Sequence, residues 1–389
     1  MAILTLNVGS SSIKFAIFSV DGDALTKKYV GLVDQVLKKP VMLITNFITK
    51  EKYNYQLEIT KEPYEYAIQA ILDWLKNQNI ELIAAGSRMI HCGTRFKGPV
   101  IINNEILDYL KNFNVLAPLH QPYNIMGCNI LHKVFPKLLQ IVCFDTSFHT
   151  SCNKITQLFA LPQKYTKEGI YRYGFHGLSY EYVVSQFDYH LKDRADGKVI
   201  IMHLGGGSTM CAVDKKRSVA TSVGFSGVDG LVMGTRCGSI DAGVLLYLME
   251  VHKMSYHDLT HLLYYESGLL GVSGISSDMR ELLASNSADA KLAIDLYVYR
   301  IVQWIGTLAM ELQGLDGIVF TAGIGENSSY IRAKICERAS WLGVNIDHEK
   351  NNSKAIQINT KESKVGIYVI PTDEEATIAR DTLKLVNIR

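Results

Sequence analysis

The sequence predicts an α/β protein built from two similar lobes, and three observations carry that prediction. Apolar strand-like runs alternate with stretches of helical periodicity along the chain, the pattern of strands covered by helices. A unit of strand, polar turn and strand opens the chain and returns near its middle. The length, 389 residues, exceeds one ordinary domain and suits two or three.

The opening unit runs Ile3-Leu4-Thr5-Leu6, then the turn Gly9-Ser10-Ser11-Ser12, then Phe15-Ala16-Ile17-Phe18, and reads as a hairpin. In the middle of the chain Val199-Ile200-Ile201-Met202 leads through His203-Leu204-Gly205-Gly206-Gly207-Ser208-Thr209 into Met210-Cys211-Ala212-Val213. Placing Asn7–Ser12 over His203–Ser208 aligns both units without a gap, so the expectation is a duplication with a cleft between its lobes. Leu139–Phe144 is a further strand that ends at Asp145. Lys291 to Gln313 carries helical periodicity through Leu292, Ile294, Val298, Ile301, Ile305 and Leu308. Gly317–Ala322 reads as a strand running into a third glycine loop, Gly323–Asn327, ahead of a helix. Val365–Ile370 precedes Pro371 and a helix from near Thr372, where Thr372 and Glu375 form a T-x-x-E capping box. Ser277 reads as the N-cap of another helix, and residues 351–364 as a surface excursion.

Composition excludes more than it assigns. Forty basic and 38 acidic residues leave a net charge of +2, too small to steer the chain toward nucleic acid or acidic membranes. Seven cysteines (92, 128, 143, 152, 211, 237 and 336) are odd in number and contain no CxxC pair. That argues for reduced thiols in a cytoplasmic protein and against a disulfide framework or a zinc site. The stretch MAILTLNVGSSSIKF lacks the charged and apolar regions of a signal peptide. No run approaches the about 18 apolar residues of a membrane span.

The chemistry rests on glycine turns and a few charged side chains. Both repeat turns directly follow a strand and can present backbone N–H groups to an anion. Neither matches GxxxxGK[ST], so this is not a Walker-type site. Their recurrence favours polyphosphate binding over two unrelated hairpin turns. Arg88, in Gly86-Ser87-Arg88, and Arg236, in Gly234-Thr235-Arg236-Cys237-Gly238, each suit a planar oxyanion, because the guanidinium fork pairs bidentately with carboxylate or phosphate. Spacing alone leaves each equally open to a surface salt bridge. Asp145 is either an active-site carboxylate or a turn cap. His176, between Phe175 and Gly177, and His120, in Pro118-Leu119-His120-Gln121, are either ligand-facing or structural. Glu374 is not needed for the capping box and is the freer of the two terminal glutamates to approach a metal.

Together the motifs NVGSSSIKF, SRMIHCG, LAPLHQP, CFDTSFH, YRYGFHG, HLGGGST, GLVMGTRCGSID, ESGLLGVSGISSDMR, GIGEN and IPTDEE resemble those of acetate kinases, in the same order, from residue 7 to about residue 380. The resemblance implies the duplicated ribonuclease H-like fold of the actin-like ATPases, with an N-terminal lobe of residues 1–147 plus 371–389. Residues 148–370 are then the nucleotide-binding lobe, and the protein is a homodimer. It implies reversible transfer of the γ-phosphoryl of ATP to acetate, giving acetyl phosphate and ADP, with Mg²⁺ or alternatively Mn²⁺ as the metal.

Residue by residue, the resemblance places the metal at Asn7 and Glu374 and nucleotide phosphate at Lys14, Ser10 and Ser12. His203, Leu204, Gly205, Gly206 and Gly207 match further ATP contacts. So do Asp278, Met279 and Arg280, with Gly323, Ile324, Gly325, Glu326 and Asn327, the last two segments lying around the adenosine. Arg88 and Arg236 match the arginines on the carboxylate and the phosphoryl group in flight, Asp145 the essential carboxylate, and His176 the histidine on the phosphoryl. His120 matches a supporting histidine. Ile90, Leu119, Phe175 and Gly227 match the acyl pocket.

The chain departs from the family pattern in several places. Gly206 stands where Asn is usual, Tyr171 and Tyr180 replace Arg and His around YGFHG, and Cys92 replaces Gly. Ile90 in place of Val should shrink the methyl pocket, whereas Gly227 in place of Pro should enlarge it. The expectation is acetate preferred and propionate accepted, since one methylene is worth only about 1–3 kcal/mol. A propionate or other short-chain carboxylate kinase is the nearest alternative. An actin- or chaperone-like ATPase acting as a conformational or filament protein is the alternative from another class.

Overall fold

The computed structural model describes residues 1–118 and 120–388, so Leu119 lies outside the described residues. The chain divides into two compact units, Met1–Phe148 with Asp373–Arg389, and His149–Thr372.

The first unit holds eight strands: β1 (Ala2–Val8), β2 (Ile13–Asp21), β3 (Ala24–Asp34), β4 (Val41–Asn46), β5 (Lys52–Gln56), β6 (Leu82–Met89), β7 (Val100–Ile101) and β8 (Leu139–Phe144). They form one sheet in the order β5-β4-β3-β2-β1-β6-β8-β7. The second unit holds β9 (Val199–Leu204), β10 (Ser208–Asp214), β11 (Arg217–Thr221), β12 (Gly317–Thr321) and β13 (Gly366–Val369), in the order β11-β10-β9-β12-β13. Each sheet contains the same five-strand core. Three antiparallel strands (β3-β2-β1, and β11-β10-β9) continue into two parallel ones (β6-β8, and β12-β13). This is the ribonuclease H-like pattern in duplicate.

Register corrects the gapless repeat. Val8 pairs with Ile13 across four turn residues, but Leu204 pairs with Ser208 across three. The second turn is one residue shorter, a difference that a comparison of composition cannot detect because both turns are small and polar.

Helices cover the sheets where their apolar faces demand it. The helix Ala288–Leu312 buries Ala293, Ile294, Tyr297, Val298, Ile301, Ile305 and Leu308 in the core of the second unit, each large side chain stabilising by roughly 1.5–3 kcal/mol. Leu292, expected on that face, is 59% exposed, with Ala293 taking the buried position. The terminal helix Glu374–Asn387 packs on β1, β6 and β8. Gly86 makes that approach possible: a Cβ there would lie 2.2 Å from Thr382 Oγ1 and 2.6 Å from Ile378 Cγ2.

Four local expectations are revised. The N-cap of the terminal helix is Asp373, which accepts from Ala376 N at 3.0 Å, because Thr372 N is drawn instead to Glu326 Oε1 at 3.1 Å. Asp278, not Ser277, caps the helix Met279–Ala284, accepting from Arg280 N at 2.8 Å. Gly323–Asn327 is not a loop but lies within a short helix, Ala322–Asn327. Residues 351–364 are not wholly superficial, since Asn351 and Ile358 are buried. Among the described residues no helix is long and apolar enough to cross a membrane.

Candidate active site

In the first unit the polar groups gather where β1, β6 and β8 end. Strand register sets Asn7, at the end of β1, opposite Lys14 on β2. Between them the turn Gly9–Ser12 directs its carbonyls into the protein. Tyr64 Oη donates to Ser10 O at 2.7 Å, Val36 N to Ser11 O at 2.9 Å, and Gly9 N to Ser12 O at 2.8 Å. The amides of Ser10 and Ser11 and the serine hydroxyls are left as an edge suited to an anion.

Arg88 on β6 and Asp145, just past β8, are locked together. Arg88 Nη2 donates to Asp145 Oδ2 at 2.6 Å, and Nε lies 3.2 Å from both carboxylate oxygens. Asp145 is 1% exposed and Arg88 15%. Burial opposes the guanidinium charge, but Asp145, with Glu374 behind it, more than offsets that and holds Arg88 protonated. Glu374 Oε2 stands 4.0 Å from Arg88 Nε, in the first turn of the helix that Gly86 admits. Lys27 holds that helix start through Asp373 at 2.5 Å. Glu375, beside it, has its carboxyl pKa raised by burial. Ile90 is buried, and its carbonyl accepts from Thr146 N at 3.2 Å. His120 precedes the helix Gln121–Val134, and neighbouring Gln121 braces the segment, accepting from His91 N and donating to Leu110 O.

The second unit assembles a separate group. In the turn Gly205–Gly207, Gly205 O accepts from Ser208 Oγ at 2.9 Å and Gly206 O from Gly234 N at 3.1 Å, so these carbonyls again face inward. A Cβ on Gly207 would lie 3.4 Å from His176 Cε1 and 4.0 Å from Arg236 Nη1. Turn, imidazole and guanidinium therefore converge on one point. His176 stacks on His203 at 4.1 Å, and its Nδ1 meets Thr209 Oγ1 at 3.0 Å. Thr209 is bonded in turn to Tyr180 Oη, so the aromatic replacement at 180 braces the site. His203 is itself held through Nδ1 by Ser179 at 2.8 Å.

Arg236 is the telling residue. It is half-buried, donates to Gly227 O at 2.9 Å, and among the described residues has no carboxylate within 4.0 Å. Burial lowers its pKa. A sheltered guanidinium without a counter-charge is costly unless an anion arrives. Gly227 keeps its head clear, since a Cβ there would stand 3.3 Å from Nη1.

Beside this point lies a cavity of about 580 Å³, lined by Gly205 and Gly206, by Asp278, Met279, Arg280 and Leu283, and by Gly323, Ile324 and Asn327 among others. Three segments distant in sequence thus share one pocket of a size usual for a small ligand. Arg280 is 91% exposed at its rim and clasps Asp278 at 2.6 Å; that hydrogen bond pulls the Asp278 carboxyl down to about 2. Leu204 is fully buried, so only its main chain is available to a ligand. Glu326 turns inward, its Oε1 accepting from Ala322 N at 2.8 Å as well as from Thr372 N, and so shapes the helix Ala322–Asn327.

Sequence reasoning missed Arg332, which is 2% exposed. It donates to Gly325 O and Glu326 O at 2.9 Å each and to Asn351, holding the C-terminal end of that helix. A lone Arg inside an ordinary helix carries no signal of this. Thr209 and His149 lie inside the motifs HLGGGST and CFDTSFH, but their bonds to His176 and to Phe175 O come from the fold and not from spacing. The acyl-pocket candidate Phe175 is 7% exposed.

Known proteins resemble this chain over nearly its whole length. The acetokinase family model matches residues 2–380. An acetate kinase of Rickettsia akari is 46% identical over 389 residues, spanning 99% of each chain. One of Methylocella silvestris is 44% identical over 395 residues, spanning 99% of this chain and 98% of the other. A propionate kinase from Francisella tularensis superposes with a TM-score of 0.92 at 36% identity, covering 98% of this chain and 99% of that one. Acetate kinase of Porphyromonas gingivalis does so at 0.89 and 33%, covering 99% of each. The chain belongs to the acetokinase family.

Proposed function

We propose that the protein is an ATP-dependent acetate kinase, catalysing reversible in-line transfer of the γ-phosphoryl of ATP to acetate. The observation that carries this reading is Arg236, a cation with no carboxylate within 4.0 Å among the described residues, converging with His176 on a glycine turn. Acetate is already a nucleophile at neutral pH, so no strong base is required. One carboxylate oxygen attacks the γ-phosphorus, the bond to the β,γ-bridging oxygen breaks, and ADP leaves with that electron pair. Catalysis then consists of alignment and of neutralising charge on the three equatorial oxygens.

In this reading Arg236 and Arg88 hold the acetyl carboxylate and the phosphoryl in flight. His176 donates through Nε2 to a phosphoryl oxygen. Asp145 orients Arg88 rather than moving a proton, which its bidentate pairing supports. Lys14 and the two turns bind phosphate. The cavity beside Gly205 takes the adenosine, with Ile324 and Leu283 as apolar walls. Ile90, Phe175 and Gly227 bound the acyl chain.

Mg²⁺, with Mn²⁺ as the alternative, fits Glu374 and Asn7: a carboxylate and an amide are hard oxygen donors, and Mg²⁺ commonly takes few protein ligands, completing its shell with phosphate and water. When bound it supplies charge neutralisation on the phosphates.

We further propose a cytoplasmic homodimer. The helix Ala242–Val251 supports the second copy, because none of its residues is buried while Leu246 is 67% and Tyr247 56% exposed. A Leu246→Glu variant should sediment as a monomer; an unchanged dimer would refute that surface.

A hydroxylamine trap for acyl phosphate, run with ATP, Mg²⁺ and acetate, propionate or butyrate, tests the activity. Hydroxamate should form with the highest kcat/KM for acetate, and propionate should be accepted. Butyrate as best substrate would refute the pocket reading. ATP hydrolysis without hydroxamate would favour a conformational ATPase.

A further inference from the structure

His176 sits in the left-handed region at φ 57°, a conformation that a residue with a side chain keeps only where its surroundings over-determine it. The segment before it is therefore informative. His149 Nε2 lies 3.0 Å from Phe175 O. A carbonyl only accepts, so Nε2 carries the proton and Nδ1 accepts from Ser218 Oγ at 2.9 Å. Ser218 belongs to β11 and also meets Cys152 Sγ and Cys211 Sγ at 3.2 Å each, so the imidazole is anchored from the sheet side. Its ring face is equally committed. Gly174, at φ 77°, would place a Cβ 2.5 Å from His149 Cδ2 and 2.6 Å from Cγ, so only glycine lets the chain pass over this ring. Burial holds His149 down at about 4, which keeps it neutral and in this tautomer at ordinary pH.

We propose that His149 is a positioning residue for phosphoryl transfer: by clamping Gly174 and the Phe175 carbonyl it holds His176 in the backbone conformation that presents its ring to Gly207 and Arg236. This rests on the reading of His176 given above. His149 acts on the reaction only through His176.

The test is a double-mutant cycle in the full-length enzyme. His149→Leu should lower kcat about 10–100-fold, the scale of a small misplacement of a reacting group. KM for ATP and acetate should stay within about threefold, since ground-state binding is untouched. His149→Gln, whose amide can donate to Phe175 O, should recover most of kcat. In a His176→Ala background, His149→Leu should have no further effect, whereas a merely structural role would lower kcat again. Should His149→Leu fail to fold, Ser218→Ala, which removes the hydroxyl that donates to Nδ1 and leaves the ring, should give a smaller fall that also vanishes in the His176→Ala background. Near-native kcat in folded His149→Leu, or additive losses in the cycle, would overturn the proposal. His176→Ala alone tests the underlying reading: native turnover there overturns that reading and this proposal with it.

Discussion

Replacing Arg236 should move activity and stability in opposite directions. Its guanidinium has five N–H groups, and the protein acceptors it meets are Gly227 O at 2.9 Å and, more weakly, Met233 Sδ at 3.7 Å. In the proposed reaction the remaining donors serve an oxyanion. Removing a donor aimed at developing charge costs about 2.7–4 kcal/mol, or 10²–10³ in rate, so Arg236→Met should lower kcat/KM for acetate by that factor. Arg236→Lys keeps the charge but loses the fork, and should still lose on the order of 10²-fold because a bidentate site is not served by a point charge. The resting protein, however, carries this cation half-buried with no carboxylate within 4.0 Å among the described residues, and burial lowers its pKa. Arg236→Met therefore removes a desolvation cost, and Tm should stay level or rise, the usual trade between stability and a strained site. Steady-state kinetics by the hydroxamate assay and a thermal melt of the same preparation decide it. Retained kcat/KM would show that Arg236 aims no donor at the reaction, and a clear fall in Tm that its charge is already compensated.

The remaining expectations follow from neighbouring geometry. Arg88→Ala should behave oppositely in stability, because it takes from the 1% exposed Asp145 the guanidinium that pairs with it at 2.6 Å. The cost is about 3–5 kcal/mol, seen as a lower urea midpoint, and Arg88→Ala/Asp145→Ala together should recover part of it. Gly206→Asn, the residue usual in the family, should fold normally, since a Cβ at 206 meets nothing within 4 Å. It should lower KM for ATP; a raised KM would contradict the phosphate role of this turn. Acid should weaken the fold through its buried histidines. Burial depresses His91 to about 3 and His149 to about 4, below the unfolded value of about 6.5. Their contribution is thus complete above about pH 6.5 and is lost as pH falls toward the folded values, about 3 kcal/mol for His149 alone by pH ~4. Melts should show Tm declining from pH ~6.5 downward and less steeply in His149→Gln; a flat profile would contradict this.

What could be read from the sequence was whatever repeats locally. The strands Leu139–Phe144 and Gly317–Thr321 and the helix Ala288–Leu312 announce themselves because apolar spacing follows the geometry of the element. What could not be read depends on partners far along the chain. The cap at Asp373 is settled by Lys27 and by the pull of Glu326 on Thr372, neither visible in IPTDEE. The shorter second turn appears only in the pairing of Leu204 with Ser208. Asn351 and Ile358 are drawn inward from a polar stretch, Asn351 by buried Arg332. In the candidate site, spacing treats Arg88 and Arg236 alike, as arginines beside glycines. The fold separates them, giving one a buried carboxylate and leaving the other without one, and that difference of counter-charge is what the functional reading uses.

Transfer is expected to proceed by a single direct displacement, in which the protein aligns acetate with the γ-phosphoryl and neutralises it without forming a bond to it. The stereochemical course at phosphorus tests this most directly. With ATP made chiral at the γ-phosphorus by oxygen isotopes, acetyl phosphate should form with inverted configuration, as one in-line transfer requires. Retention would mean two displacements through a phosphorylated side chain and would contradict the account.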